Sequence, residues 1–429
     1  MSHTVEAAPT RPWSPAQGRI SHGSGFWVIA AAFTVALAFS TLPTPLYGLY
    51  QQRDGFPTFV ITIVFAAYAV GVVTSLYLAG HVSDWLGRRH VFAAALVVEA
   101  LSALIFVAWP AVPGLIIARL VNGVAIGALT ATATAHLSEL RLVTRPQDDP
   151  ARSGLISSVV NMGGLAMGPL VSAVLSQYVS SPLTTPFLIF LGLLLISALA
   201  VTLVPETVVR REVRPAYRPQ RISLPRAAKP IFFGAATGGF AAFAITGLFM
   251  ALAPTLLAQT LHETSKLLGG FASFSMLATA ALAQVVFARL ATQDQLRFGF
   301  ILMAIGLVAI PTAVFTTSLW LFLIAGVVAG AGVGLGFRAA VATVARLADP
   351  SLRGEVLAAF FLATYAGLVG PVLLIGVALI WLPSPAAVLL FTALELGLLG
   401  WAARRTSFRP AGSFGQQVRP RRFGCSRPP

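Results

Sequence analysis

The chain has 429 residues, of which 57% are hydrophobic and only 10% charged, with a mean hydropathy of +0.83. Soluble globular domains carry about a quarter charged residues, so this composition excludes one and points to lipid as the solvent. A net charge of +15 would suit a nucleic-acid binder, but the placement of the basic residues explains it differently, and nucleic acid is not an expected partner.

Residues 1–24 are polar and Pro-containing and read as a cytoplasmic tail. The apolar run that follows is too long and too poorly flanked for a cleaved signal peptide, so it stays as the first membrane helix. Stretches of about 20 apolar residues, the length that crosses a hydrocarbon core as a helix, predict twelve spans. They lie at 26–49, 58–80, 91–109, 112–135, 154–177, 185–204, 231–256, 268–289, 298–315, 318–338, 355–379 and 384–402. No segment alternates like a barrel strand, and helices satisfy their own backbone hydrogen bonds in lipid. The expected fold class is an all-α membrane protein: a six-helix bundle at 25–204, a basic cytoplasmic linker at 205–230, a second bundle at 231–403 and a basic tail at 404–429.

Span one carries Thr34 and Ser40, closes on Leu42-Pro43-Thr44-Pro45, and holds no acid. Between spans two and three stands Gly80-His81-Val82-Ser83-Asp84-Trp85-Leu86-Gly87-Arg88-Arg89. Its glycines permit a sharp turn, Asp84 can accept hydrogen bonds from the free N–H groups opening span three, and Arg88 and Arg89 are near enough to pair with Asp84 or lipid phosphate. Span four holds Arg119, Asn122, Gly123 and Gly127. A charge within the membrane costs about 2.5–3.5 kcal/mol, so Arg119 either faces a wet cavity or a partner, or snorkels to the outer surface about 10 Å of helix away. Gly123 and Gly127 share its helix face and admit a close neighbour. Span five carries Asn161 and then Gly164, Gly168 and Pro169, where the proline removes a backbone donor and bends the helix.

The second half repeats the first at an offset of about 200 residues, as parallel six-helix repeats do. Gly168-Pro169 returns as Gly370-Pro371 in span eleven, Arg152 as Arg353, and Gly123 and Gly127 as Gly326 and Gly330 in span ten. The run Gly330 to Gly336 lacks nucleotide-loop spacing and a preceding strand, so it reads as helix packing. Glu99 in span three and Glu395 in span twelve are the acids well inside spans. Each either carries a coupling proton or stands as a neutral acid bonded between helices.

With the first tail assigned to the cytoplasm, every one of the 29 Lys and Arg except Arg53, Arg119 and Lys266 falls on the cytoplasmic side, Arg338 at the inner end of span ten included. This positive-inside bias predicts a multi-pass plasma-membrane protein with both termini cytoplasmic, its basic linker and tail against anionic headgroups of the bilayer. One cysteine, Cys425, and six scattered histidines offer no disulfide framework and no metal set. Neither lysine follows a glycine as a Walker loop requires, and the inside loops leave no room for an ATPase domain. Any energy-driven movement across the membrane would therefore draw on an ion gradient, with no bound cofactor expected. No nucleophile, base and oxyanion constellation lies within the spans, so an enzyme is not expected.

The loop Gly80 to Arg89 resembles the Gly-x-x-x-Asp-x-x-Gly-Arg-Arg signature between the second and third helices of the major facilitator superfamily. Arg119 to Gly127 is similar to that family's Arg-x-x-x-Gly-x-x-x-Gly pattern on helix four. Gly164 to Ala173 resembles the span-five motif of drug/proton antiporters, with Ser172 and Ala173 in place of its glycine pair, and Val204-Pro205-Glu206-Thr207 resembles the family's close of span six. The resemblance implies a twelve-helix carrier, expected as a monomer, working by alternating access, its cavity lined by spans one, four, five, seven, eight, ten and eleven. It implies a conformational latch at Gly80, Asp84, Gly87, Arg88 and Arg89, with Trp85 standing where a basic residue is common. Thr34, Ser40, Arg119, Asn122 and Asn161 are the polar groups expected at the cavity, with Glu99 or Glu395 as coupling acids. The leading function is proton-coupled export of a small organic molecule. An importer of a small, anionic metabolite and a transport-inactive sensor or scaffold are the alternatives.

Overall fold

A computed structural model describes residues 19–79, 83–145, 147, 150–208, 228–263, 265–347 and 353–406. Most of both expected tails, most of the linker and Gly80 lie outside the described residues. Among those described, eleven helices are long and apolar enough to cross a membrane, and a further apolar helix, Thr185–Val201, is shorter.

Span one, His22–Thr41, opens on Ser21, whose hydroxyl accepts from the Ser24 N–H at 3.1 Å, a regular N-cap. It breaks at Leu42-Pro43, turns through a 3-10 segment at Thr44–Leu46 and resumes as a short helix, Tyr47–Asp54. Two prolines at alternate positions each remove a backbone donor, which is why the apolar run predicted over 26–49 is not one continuous helix. Span two is Thr58–Ala79, span three Arg88–Ala108, span four Val112–Thr144, span five Pro150–Tyr178 and span six Thr185–Val201. The second half follows with span seven at Lys229–Ala251, eight at Lys266–Val286, nine at Thr292–Phe315, ten at Leu319–Leu347, eleven at Arg353–Ala378 and twelve at Ser384–Thr406.

Spans four and ten run well past the predicted ends at 135 and 338. Hydropathy stops at His136 and Arg338, but the residues beyond include Ala, Leu and Arg, good helix formers, so the backbone ladder continues. The 33 residues of span four reach about 50 Å, longer than a hydrocarbon core of about 30 Å.

Odd-numbered spans leave the face on which span one begins, here the first face, and even-numbered spans return to it. Within each half the helices meet backbone to backbone. A Cβ on Gly123 would lie 2.0 Å from the Tyr68 carbonyl oxygen on span two, and one on Gly330 would lie 2.1 Å from that of Met276 on span eight. Between the halves, the named contacts sit toward the opposite face. There a Cβ on Gly270 of span eight would meet the Ala173 Cβ at 2.3 Å and the Pro169 oxygen at 2.4 Å, and one on Gly376 of span eleven would meet Thr62 Oγ1 at 2.4 Å. The halves therefore close on each other at the opposite face and part toward the first.

Candidate functional site

A cavity of about 360 Å³ lies between the halves, bounded by residues of spans one, two, four, five, seven, eight, ten and eleven. Span two, omitted from the expected lining, contributes Phe65 and Tyr68. The walls are mostly apolar and aromatic; Phe243 of span seven stacks obliquely on Phe337 at 5.1 Å and edge-on to Tyr365 at 5.5 Å. Among the described residues, two guanidinium groups, Arg119 and Arg338, stand on this wall, and no Asp or Glu lines it.

Arg119 is 1% exposed, so it does not snorkel. Its Nη1 donates to the Ser40 carbonyl at 2.6 Å and to Asn122 Oδ1 at 3.0 Å, and its Cζ lies 4.4 Å over the Tyr68 ring. The Ser40 carbonyl is among those left over where span one breaks, and a helix C-terminus favours a cation. Asn122 in turn donates through Nδ2 to Glu99 Oε2 at 2.5 Å. The span-three acid is thereby joined to the span-four arginine through one carboxamide, with Glu99 fully buried and its second oxygen, Oε1, unpartnered. Hydrogen bonds to charged groups contribute about 1.5–3 kcal/mol each, which offsets part of the cost of burying the Arg119 guanidinium.

Pro169 supplies no N–H, so the Leu165 carbonyl one turn back lacks its helical donor. Thr41 Oγ1 of span one fills the gap at 2.8 Å. A Cβ on Gly168 would sit 2.1 Å from both the Ala38 oxygen and Thr41 Oγ1, and one on Gly164 would sit 2.9 Å from the Leu37 Cβ. Spans one and five are thus fastened where span one breaks and where Pro169 leaves span five a backbone bond short. In span eleven, Pro371 also interrupts the helix, but the position facing a neighbour is Gly367, whose Cβ would meet the Phe240 oxygen at 2.2 Å; Gly370 meets nothing within 4 Å.

At the first face, Gly87 has φ +100, and a Cβ there would lie 2.5 Å from Glu206 Oε2. Glycine is required on both counts. The Glu206 carboxylate accepts from the backbone N–H of Arg88 at 2.8 Å and of Arg89 at 3.2 Å, so this residue closing span six caps span three, the task the sequence assigns to Asp84. The side chain of Asp84 lies outside what the structure describes. Arg88 pairs with Glu139 of span four at 3.2 Å and donates to Ser83 Oγ at 2.6 Å, while Thr207 Oγ1 donates to the other Glu139 oxygen. Arg89 reaches the Thr202 and Val204 carbonyls, each at 3.4 Å.

Of the expected cavity groups, Ser40, Arg119 and Asn161 line it. Asn122 lies behind Arg119. Thr34 is not among the lining residues: its hydroxyl donates to the Ala30 carbonyl at 2.9 Å, and its Cα lies 3.2 Å from the Cβ position of Gly164. Glu395 is fully buried in span twelve, away from the cavity, and neither carboxylate oxygen has a partner among the described residues. Gly127 packs on Ser75 of span two. Sequence reasoning missed Tyr68, Gln284 and Arg338 in the cavity and Glu139 and Glu206 at the first face. Visible signals exist for Arg338, counted among the cytoplasmic-side charges at the inner end of span ten, and for Glu206, in the segment that closes span six.

The family profile described as Major Facilitator Superfamily matches residues 28–371. No curated protein matches the chain. Among solved structures, a point mutant of the nucleoside transporter NupG superposes with a TM-score of 0.67 at 13% identity, covering 90% of this chain and 100% of that one. The human organic anion transporter MFSD10 (TETRAN) gives 0.63 at 17% identity, covering 89% and 99%. At these identities the likeness is one of fold, and with the profile it identifies a multi-pass membrane carrier rather than an enzyme. The chain belongs to the major facilitator superfamily of secondary transporters.

Proposed function

We propose that the protein exports a small organic anion with an apolar body across the cytoplasmic membrane, in exchange for protons, by alternating access. The observation that carries the anionic substrate is the cavity wall: among the described residues it holds two guanidinium groups, no carboxylate, a set of neutral hydroxyl and carboxamide groups, and aromatic and aliphatic side chains. Such a wall attracts a negative headgroup and repels a cationic drug, and it offers an apolar body a surface to bury. One fold relative is named an organic anion transporter; the charge of this cavity, and not that distant likeness, supports the reading here.

Export is supported by the span-five motif around Gly168 and Pro169 and its fastening to span one. With the first face cytoplasmic, the cavity loads from the cytoplasm. Glu99 is the coupling acid in this reading, because Asn122 links it to Arg119, whereas Glu395 stands apart. Protonating Glu99 would weaken its hold on Asn122 and so alter the field at Arg119. The named contacts of Gly87, Arg88, Glu139 and Glu206 lie within the first half, so the latch role proposed for this loop rests on its resemblance to the family's signature.

The test is transport in oriented proteoliposomes with two dyes on one xanthene frame, the anionic fluorescein and the cationic rhodamine 123. Saturable fluorescein export, accelerated by an opposing proton gradient and uncoupled from it in Glu99→Gln, is the expected result. Movement of rhodamine 123 alone overturns the anionic reading. Fluorescein movement indifferent to the gradient turns the assignment to a facilitative importer.

A further inference from the structure

We propose that Arg338 and Gln284 form the subsite that holds the negative headgroup of the transported molecule, a carboxylate or sulfonate borne on an aromatic body. The inference rests on the reading of the protein as an organic-anion carrier and assigns the binding within it.

The two cavity arginines differ in what remains of their hydrogen-bonding capacity. Arg119 is fully buried and engaged by a carbonyl, a carboxamide and an aromatic face. Arg338, half-buried in span ten, makes one hydrogen bond, from Nη1 to the backbone carbonyl of Gln284 on span eight, at 2.5 Å. No acid pairs with it among the described residues. A guanidinium has five donors in a planar fork matched to two oxygens of one anion, so most of that fork is left for a ligand.

Gln284 supplies the second, independent observation. It also lines the cavity, is 1% exposed, and its Nε2 amide is buried without an acceptor. An unsatisfied buried donor is costly, and native structures seldom leave one without a purpose. An oxygen held by the Arg338 fork would lie beside the residue whose backbone already receives that guanidinium, where the carboxamide can donate to it. The aromatic part of the ligand has its own wall next door: Phe337 precedes Arg338 in the chain and packs with Phe243, which in turn meets Tyr365. Headgroup and body are thus both held by the second half of the protein, and the anion moves with that half when the two rock against each other. Arg119, on the first half, is left to coupling.

The experiment is fluorescence anisotropy of fluorescein and of rhodamine 123, titrated with the purified full chain and its variants. Wild type is expected to bind fluorescein and not rhodamine 123. Arg338→Gln should weaken fluorescein binding about 10- to 100-fold and Gln284→Leu about 3- to 10-fold, the range for losing hydrogen bonds to a charged group. Arg338→Lys, which keeps the charge and loses the fork, should fall between wild type and Arg338→Gln, and Arg338→Glu should reverse the preference between the dyes. Fluorescein binding by Arg338→Gln within about twofold of wild type, the scatter expected of a residue outside the site, overturns the subsite while leaving the organic-anion reading intact. Wild type that prefers rhodamine 123, or that binds neither dye, removes both. Should Arg338→Gln fail to fold, Gln284→Leu and Arg338→Lys are judged by the same criteria, since each keeps most of the side-chain volume it replaces.

Discussion

Arg119 and Arg338 occupy corresponding spans of the two halves and line one cavity, yet the first is buried and held by several groups while the second is half-buried and holds one. Arg119 is tied to the broken end of span one, to Asn122 and through it to Glu99, and to the Tyr68 ring, while Arg338 holds a single carbonyl. The lesson is that a cavity arginine is defined less by its exposure than by how much of its charge the protein has already answered. An answered arginine is structure and coupling; an unanswered one is available to a ligand.

The sharpest way to break this comparison is to remove each guanidinium and measure stability. Arg119→Gln strands Glu99 and frees the Ser40 carbonyl, and breaking one side of a buried charged set costs about 3–5 kcal/mol. Thermal unfolding in detergent should show that loss for Arg119→Gln and a change under about 1 kcal/mol for Arg338→Gln, which removes one hydrogen bond. The double variant Glu99→Gln with Arg119→Gln should be more stable than the sum of the singles implies, by about 1–3 kcal/mol. Equal losses at the two arginines would show that both are structural, and additivity with Glu99 would show that the link through Asn122 carries no energy.

The same pair marks how far the sequence can be read. Twelve spans are legible because lipid demands long apolar helices, and the duplication is legible because Gly-Pro pairs recur at a fixed offset. Asn122 and Arg119 are three residues apart on one helix, so their meeting follows from helical spacing. Glu99 reaches them from another helix, and which face of span three turns inward is settled by packing that leaves no local trace. Arg338 misleads for a plainer reason: a charge ends a hydropathy run even where the helix continues, so a cavity residue looks like a topology-setting charge at the inner end of span ten. Glu206 capping the start of span three joins residues far apart in sequence, and nothing near Gly87 announces it except the glycine itself. Thr34 shows the converse, a polar residue on a cavity-forming helix that satisfies itself on its own backbone and does not line the cavity.

A second break addresses the halves as moving bodies. Gly270→Val places side-chain atoms where the Pro169 oxygen and the Ala173 Cβ now lie, and overpacking of this kind costs about 1–3 kcal/mol in the state that suffers it. Only the conformation closed at the opposite face suffers it, so the equilibrium shifts toward the one open there, by about tenfold for each 1.4 kcal/mol. In a Cys425→Ser background with Ser158→Cys in the cavity, labelling by a membrane-impermeant thiol reagent should rise from the opposite face and fall from the first face. Unchanged labelling would mean that spans five and eight are not a closing contact.

The smallest effect is the most local and tests whether the fastening of span one to span five is energetic or incidental. Thr41→Val keeps the shape of the side chain and removes the donor to the Leu165 carbonyl, which Pro169 has already deprived of its helical partner. Leaving one buried carbonyl unsatisfied costs about 1–3 kcal/mol, offset in part because the methyl group packs where the hydroxyl was. A loss near 1 kcal/mol in thermal stability is therefore expected, smaller than for Arg119→Gln. The double variant Thr41→Val with Pro169→Ala is the decisive comparison, since alanine restores the N–H and returns the Leu165 carbonyl to its own helix. If the threonine acts by completing span five, its removal should be nearly silent in that background; if the loss persists there in full, Thr41 matters for another reason and the two spans are not fastened by this bond.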